Sequence, residues 1–399
     1  MFNFKNEISK DFYEKDAKIA KAYLKVIKNI SFNIDFKKDT FHSLSNKFKF
    51  SFKIKDLQKF KRFKSIAIIG MGGSILGPEA IYNFLKKKIK KKFFFIDNID
   101  EDKLTKIKKE HQLDKVLFII ISKSGNTIET LSNILALNII KKKSKNIIII
   151  SEKNNNPLYL LSKKMELFHI EHKNYIGGRY SVLSEVGIVP AYLMGINIME
   201  LRKNLFSYVL SKHKYSLKNS LQILSSLLKK GKLNTIIFLN YEPKLQKFLS
   251  WNQQLMAESL GKKTKGFLPF ISSVPKDHHS LLQLYLDGPK DKLFYIFSSA
   301  NDYKIKIKSK IMGKELDFLD KKKLSKIKKA QKNALIKIFK QKKIPFREFS
   351  IKNINEKTLG ELFSYFILET AILGKISKIN PFDQPAVDQV KIRTKQNLI

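Results

Sequence analysis

The sequence predicts an α/β protein built from two tandem doubly wound domains, each a parallel sheet flanked by helices, with a helix at the C-terminal end. Three observations predict it. Apolar runs of strand length recur along the chain. Amphipathic stretches of helix length separate them. The alternation then occurs a second time in the other half of the 399 residues. Strands covered on both faces read as continuous apolar runs, and strands alternating with helices make parallel sheets.

Residues 1–45 read as a helical and irregular lead-in. SIAIIG (65–70) is a buried strand ending in glycine, and SILGPEAIYNFLKKK (74–88) is the helix after it. KFFFID (92–97) is the second strand, and DKVLFIIISKSG (114–125) the third. NTIETLSNILALNIIKKK (126–143) reads as a long amphipathic helix, with Asn126 and Glu129 placed as N-cap and capping partner. NIIIIS (146–151) is the fourth strand. The second set begins with LNTIIFLN (233–240), a strand, and KLQKFLSWNQQLMAESLGK (244–262), a helix. Strand DKLFYIFSS (291–299), helix 323–343, strand IPFREFSI (344–351) and the apolar helix 358–376 follow. Residues 380–399 end the chain as a polar helix. The expected division is a lead-in over 1–45, domains over 46–212 and 213–378, and a helical segment over 379–399.

Composition narrows the function classes. The chain has no cysteine, so disulfides, cysteine metal sites and a cysteine nucleophile are excluded. No run reaches the 18 or so apolar residues of a spanning helix, and residues 1–18 carry no signal-peptide core. The expectation is a cytoplasmic protein with no membrane partner. The formal net charge of +43 raises the question of nucleic acid. Only five of the 78 basic residues are arginine, and the lysines are spread over every segment. Nucleic-acid readers depend on arginine for bidentate contacts. The charge therefore reads as compositional bias, with no nucleic-acid partner.

Two loops follow strands at the end where α/β sheets bind ligands. GMGGSILGP (70–78) lacks glycine at the sixth position of the dinucleotide fingerprint and the Gly-Lys-Ser/Thr ending of a nucleotide loop. It is either a plain strand-to-helix turn or a site where a sugar or anion approaches the backbone closely. SKSGNTIET (122–130) offers Ser122, Ser124 and Thr127 hydroxyls, Lys123, and a helix N-terminus. One hydroxyl suffices for a cap. Three suit a phosphate monoester.

Six collinear segments together resemble the glucose-6-phosphate isomerase family. They are GMGGSILGP, SKSGNTIET, IGGRYSVLSEVG (176–187), QQLMAESLGK (253–262), HHSLLQL (278–284) and PFDQPAVDQVK (381–391). The last departs from the family pattern at Pro385, Ala386 and Asp388 but keeps Gln384 and Lys391. The resemblance implies tandem sugar-isomerase domains and the aldose–ketose conversion of glucose 6-phosphate and fructose 6-phosphate, a step of glycolysis and gluconeogenesis. It implies Glu258 as the base, Arg179 as the stabiliser of the enediolate, and His279 with Lys391 as the ring-opening pair. Ser122, Lys123, Ser124, Thr127 and Gln384 are expected at the phosphate, Gly73 and Ser74 at the sugar. Gln254 lies one helical turn before Glu258 on the same face. The resemblance further implies a homodimer with a shared active site, the histidine coming from the neighbouring subunit, and no metal or organic cofactor. His278 is expected to steady the loop. Another sugar-phosphate isomerase, acting on mannose 6-phosphate as well or on an amino sugar, and a non-catalytic sugar-phosphate-binding module are the alternative readings.

Overall fold

The computed structural model describes residues 2–14, 16–210, 214–300 and 304–399. Among these residues ten strands form two five-stranded sheets. They are β1 (Phe2–Glu7), β2 (Ser65–Ile69), β3 (Lys92–Ile96), β4 (Val116–Ile121), β5 (Ile147–Ser151), β6 (Phe168–Glu171), β7 (Thr235–Asn240), β8 (Leu268–Ser273), β9 (Lys292–Ser299) and β10 (Phe346–Ile351). The helices of eight or more residues are α1 (Ala17–Asn33), α2 (Leu76–Leu85), α3 (Glu101–Glu110), α4 (Ile128–Leu137), α5 (Pro157–Lys164), α6 (Glu185–Leu193), α7 (Lys214–Lys230), α8 (Gln246–Leu260), α9 (Leu324–Gln341), α10 (Glu356–Ile376) and α11 (Pro385–Gln396).

The first sheet has the order β3-β2-β4-β5-β6 and is parallel throughout. The second has the order β1-β10-β9-β7-β8, parallel except where β1 runs antiparallel to β10. In each sheet the chain builds to one side of its first parallel strand and then crosses to the other. The crossover leaves a crevice between β2 and β4 in one sheet and between β7 and β9 in the other.

The lead-in is not only helical and irregular. Its first residues supply an edge strand to the sheet of the other half. The helix expected over 126–143 spans only Ile128–Leu137, because Asn138 turns into the left-handed region (φ 53°) and closes it. Thr127, not Asn126, is its N-cap residue, and no side chain caps it.

Side-chain alternation along the strands builds three layers of core. Ile66, Ile68, Leu117 and Ile119 of the first sheet share one cluster with Phe238, Tyr295, Phe297 and Phe349 of the second. Trp251 of α8 and Phe363 of α10 lie within it. Their rings meet edge-on at 4.7 Å. The opposite faces carry separate clusters, Ala67, Ile69, Phe118 and Ile120 on one side, Ile237, Leu239, Phe294 and Ile296 on the other. The two halves are thus joined through a common core, and α8 is held from both sides. Lys247 of α8 reaches both carboxylate oxygens of Glu79 on α2, at 3.1 and 3.0 Å.

A buried ion pair fixes the second half. Arg347 of β10 donates to Glu369 of α10 at 2.7 and 3.1 Å, to Tyr295 at 2.7 Å, Tyr365 at 2.8 Å, Ser220 at 3.0 Å and Asn6 of β1 at 2.9 Å. Every arm of the guanidinium is therefore used, which a buried charge requires. Arg202, partly buried, donates to the backbone carbonyls of Ser43, Ser45 and Leu183. Among the described residues no helix is long and apolar enough to cross a membrane.

Candidate active site

The crevice between β2 and β4 is where the sequence's loops converge. The loop after β2 closes into a 3-10 turn at Gly72–Ser74, with Gly72 at φ 52°. A Cβ on Gly72 would stand 2.6 Å from the Gln254 amide nitrogen, so the α8 side chain lies directly on this loop. A Cβ on Gly73 would overlap the backbone of Gly178 and stand 2.5 Å from the Arg179 nitrogen. Glycine is thus required at both positions, by backbone conformation at one and close approach at the other. Ser74 is buried beside them.

The loop after β4 places Ser122, buried, with its hydroxyl 2.8 Å from that of Thr127. Thr127 uses its hydroxyl there and does not cap α4. The first backbone N–H groups of α4 therefore have no side-chain partner and carry the positive end of the helix dipole. Gly125, at φ 64°, passes so close to Asn156 that no side chain fits. Ser124 is exposed at the loop tip. Lys123 turns away. Its ammonium donates to the Asn174 carbonyl at 2.8 Å and pairs with Glu152 at 3.6 Å. Beneath the loop, burial holds the His172 imidazole down to about 4, with Lys123 and Lys173 adding to the effect and the Lys173 carbonyl opposing it. His172 is therefore a neutral support at physiological pH.

Arg179 is the centre of the site. It lies in a 3-10 turn, Gly178–Leu183, and only 4% of its surface is exposed. Its Nε donates to Ser259 at 2.9 Å, Nη2 to the carbonyls of Pro381 at 2.6 Å and Asp383 at 3.0 Å, and Nη1 to Gln384 Oε1 at 3.1 Å and Glu258 Oε2 at 3.3 Å. The other oxygen of Glu258 accepts from Gln254 Nε2 at 2.9 Å. A carboxylate held at both oxygens keeps one orientation. The partners of Nε and Nη2 are a buried hydroxyl and backbone carbonyls. Those of Nη1 are two side-chain tips, the Glu258 carboxylate and the Gln384 amide, so Nη1 is the nitrogen that an entering oxygen atom can claim by displacing Gln384. Tyr180 OH adds a bond to Ser259 at 2.8 Å and to the Pro381 carbonyl at 3.0 Å. Burial, the largest effect, pushes this phenol up to about 12, so it remains a neutral donor.

The structure brings together Arg179, Glu258, Gln254, Gln384, Gly73 and, on the neighbouring strand, Ser122 and Thr127. Ser74 lies buried beside Gly73, Lys123 is turned toward Asn174 and Glu152, Ser124 is exposed, and the expected ring-opening pair is not brought in. His279 ends a 3-10 turn, Lys276–His279, and is exposed. Lys391 lies on α11, a helix with no buried residue, and its ammonium pairs with Asp388 at 3.2 Å. No hydrogen bond or ion pair among the described residues joins either to the Arg179 cluster. His278 lies 3.0 Å from the Tyr241 hydroxyl, holding its loop to the end of β7. The sequence reading missed Ser259, Tyr180 and Lys262. Their signal was present, since Ser259 and Lys262 follow Glu258 within four residues and Tyr180 follows Arg179.

The matching crevice of the second sheet is filled from within. Glu242 bonds Ser299 across it, and Asn240 and Ser273 both donate to Gln246, each at 3.1 Å. A buried carboxylate there opposes any anion.

A family model described as phosphoglucose isomerase matches residues 24–272. A probable glucose-6-phosphate isomerase from Methanococcus maripaludis is 34% identical over 83% of this chain and 78% of its own length. A glucose-6-phosphate isomerase from Methanocaldococcus jannaschii is 32% identical over 84% of this chain and 85% of its own. In structure, a hypothetical protein from Thermus thermophilus superposes over the whole of both chains with a TM-score of 0.80 at 23% identity, a likeness of fold.

Proposed function

This chain belongs to the phosphoglucose isomerase family, and from that premise we propose that it interconverts glucose 6-phosphate and fructose 6-phosphate, a step of glycolysis and gluconeogenesis. The observation that carries the assignment to this crevice is the Arg179–Glu258 pair, taken with the uncapped N-terminus of α4 in the loop after the neighbouring strand β4. The phosphate occupies the Ser122–Thr127 loop, where hydroxyls and free N–H groups meet a dianion at the positive end of a helix dipole. Gln384, already bonded to Arg179, reaches the substrate from the other wall.

Glu258 takes the proton from C2 of the open-chain aldose and returns it to C1. One carboxylate serves both atoms because they are adjacent and on one face of the enediolate. The charge that develops on oxygen is met by Arg179 Nη1, whose Gln384 partner is a side-chain tip that the substrate can displace. Fixed donors aimed at developing charge are the strongest electrostatic aid an active site offers. Gln254 keeps the carboxylate turned toward the reacting carbons. Gly73 and Ser74 border the sugar.

His279 and Lys391 open the ring in this reading, and they require a second copy of the chain. Several features support a homodimer with a shared site. His279 faces solvent in the single chain. Leu268 and Phe270 of edge strand β8 are exposed, and so are Val387, Val390 and Ile392 of α11. A twelve-residue helix with no buried residue is marginal alone. Residues 46–212 and 213–378 serve as the two sugar-isomerase domains, with 1–45 and 379–399 as flanking segments, and the enzyme works in the cytoplasm.

The test is a coupled assay with purified, EDTA-treated protein, run from each sugar phosphate, with the mass in solution measured by light scattering. Turnover in both directions by a dimer is expected. Absence of turnover with either substrate overturns the reading of the site, and an active monomer overturns the shared site.

A further inference from the structure

Lys262 follows Glu258 by one helical turn, just beyond the end of α8, and its side chain is 12% exposed in a chain whose lysines are mostly solvated. The ammonium donates to the Asn380 carbonyl at 2.5 Å, to Asp383 Oδ1 at 3.0 Å and to the Ser259 carbonyl at 3.2 Å. All three hydrogens are committed. Two go to the turn at 380–384 that delivers Gln384, and the third goes back to the last turn of α8. Asp383 in turn accepts from Asn380 Nδ2 at 2.8 Å, and the Asn380 side chain receives the Phe382 N–H at 3.1 Å. The turn is therefore one hydrogen-bonded unit that Lys262 pins to the helix of the base.

Arg179 grips the same unit from the other side, through the Pro381 and Asp383 carbonyls and the Gln384 amide. The two cations clamp one turn between them. If the Lys262 side is released, the carbonyls that fix Nη2 can shift, and Nη1 shifts with them.

The backbone beside Lys262 points to the same conclusion independently. Lys262 and Lys265 form a two-residue hairpin, and the residues between them, Lys263 and Thr264, lie at φ 54° and 59°. Glycine or asparagine is the usual occupant of such a turn, and a β-branched residue there is strained. Strain is retained where the surroundings over-determine a conformation. Here it fixes the direction in which Lys262 leaves the helix.

We propose that Lys262 is a positioning residue for the isomerisation, acting through the 380–384 turn to hold Gln384 and Arg179 in register with Glu258. This rests on the isomerase reading given above. The charged groups facing Lys262 are Asp383, Arg179 and Glu258. Burial is the largest effect on its ammonium and lowers it, Arg179 lowers it too, and Asp383 and Glu258 oppose them. The clamp consequently weakens on the alkaline side.

The experiment compares wild type, Lys262→Met, Lys262→Arg and Asp383→Asn for kcat and KM as a function of pH, with thermal unfolding of each. Lys262→Met is expected to lose ten- to a hundredfold in kcat/KM, the size of a displacement near 1 Å. Lys262→Arg should recover most of that loss and move the alkaline fall in activity upward in pH. Asp383→Asn should reproduce part of the loss, and combining it with Lys262→Met should add little further. Lys262→Met within twofold of wild type overturns the proposal. So does Lys262→Arg that is no better than Lys262→Met, or an alkaline limb that stays in place. Should Lys262→Met fail to fold, Asp383→Asn carries the test, and full activity in that variant overturns the proposal. Wild type that turns over neither sugar phosphate would instead remove the isomerase reading on which it rests.

Discussion

Substituting Gly73 by alanine tests the packing on which the site depends. The added methyl would stand 2.5 Å from the Arg179 backbone nitrogen, about 0.9 Å short of the 3.4 Å at which ordinary contact begins. Gly178, the other obstacle, presents backbone atoms, so no flexible tip can swing aside. The Gly72–Ser74 turn and the Gly178–Leu183 turn must separate by nearly 1 Å. Arg179 then leaves its position against Glu258 by a similar distance. A displacement of that size in a reacting constellation costs about a hundredfold, or roughly 2.7 kcal/mol of transition-state stabilisation. Overpacking costs about 1–3 kcal/mol of folding stability as well. Gly178→Ala is the control, because a Cβ there meets nothing within 4 Å. The assay is steady-state isomerisation of both variants at a temperature where each is folded, judged by thermal unfolding. Gly73→Ala is expected to lose about a hundredfold in kcat/KM and Gly178→Ala less than threefold. Gly73→Ala within threefold of wild type, or equal damage from both, would refute the reasoning.

Ser122→Ala removes one hydroxyl and the partner of Thr127. KM for the sugar phosphate should rise about tenfold, the loss of one charge-assisted hydrogen bond of roughly 1.5 kcal/mol, with kcat nearly unchanged. A fall confined to kcat would contradict a phosphate role. For His172, the folded value of about 4 lies below the ordinary 6.5. Above pH 6.5 both states leave it neutral. Between 6.5 and 4 only the unfolded chain takes the proton, so stability falls as pH falls through that window. At about 1.4 kcal/mol per pH unit, His172 alone accounts for about 3 kcal/mol. Urea unfolding from pH 7 to 4 should show a slope that His172→Asn reduces, and an unchanged slope would show that burial of this ring is not its cause. Glu369→Ala leaves Arg347 charged and buried, and should cost about 3–5 kcal/mol in urea unfolding. A cost below 1 kcal/mol would mean that this five-partner network is not what holds β10 to α10.

The central strands were legible because both of their faces are buried. SIAIIG, DKVLFIIISKSG, NIIIIS, LNTIIFLN and DKLFYIFSS each carry an uninterrupted apolar run, and IPFREFSI keeps a mostly apolar pattern around Arg347 and Glu348. The strands that escaped notice, β1, β6 and β8, are all sheet edges. FNFKNE, FHIE and LPFISS have one neighbour each and no apolar run to reveal them, and the partner of β1 lies more than three hundred residues away. Within the site, the glycine loops and the Glu258 helix could be read because each function lies within one local stretch. The Arg179 clamp could not, since its partners come from α8 and from the 380–384 turn, which only folding brings together. The scarcity of arginine was a usable signal. Of the five, Arg179 and Arg347 are buried, Arg202 is partly buried, and each organises a set of hydrogen bonds. Lys123 and Lys391 show the converse. In a lysine-rich chain a charge near a motif finds a carboxylate or carbonyl nearby, and sequence position alone does not say where the ammonium points.

The central claim is that Glu258, held by Arg179 and Gln254, carries one proton between C2 and C1. The most direct measurement is exchange of the C2 hydrogen of glucose 6-phosphate in deuterated water, followed by NMR for wild type and Glu258→Gln. The account predicts deuterium at C2 in wild type and a loss of on the order of a thousandfold or more in the exchange rate of Glu258→Gln, which still binds substrate. Exchange at an undiminished rate in Glu258→Gln would contradict it.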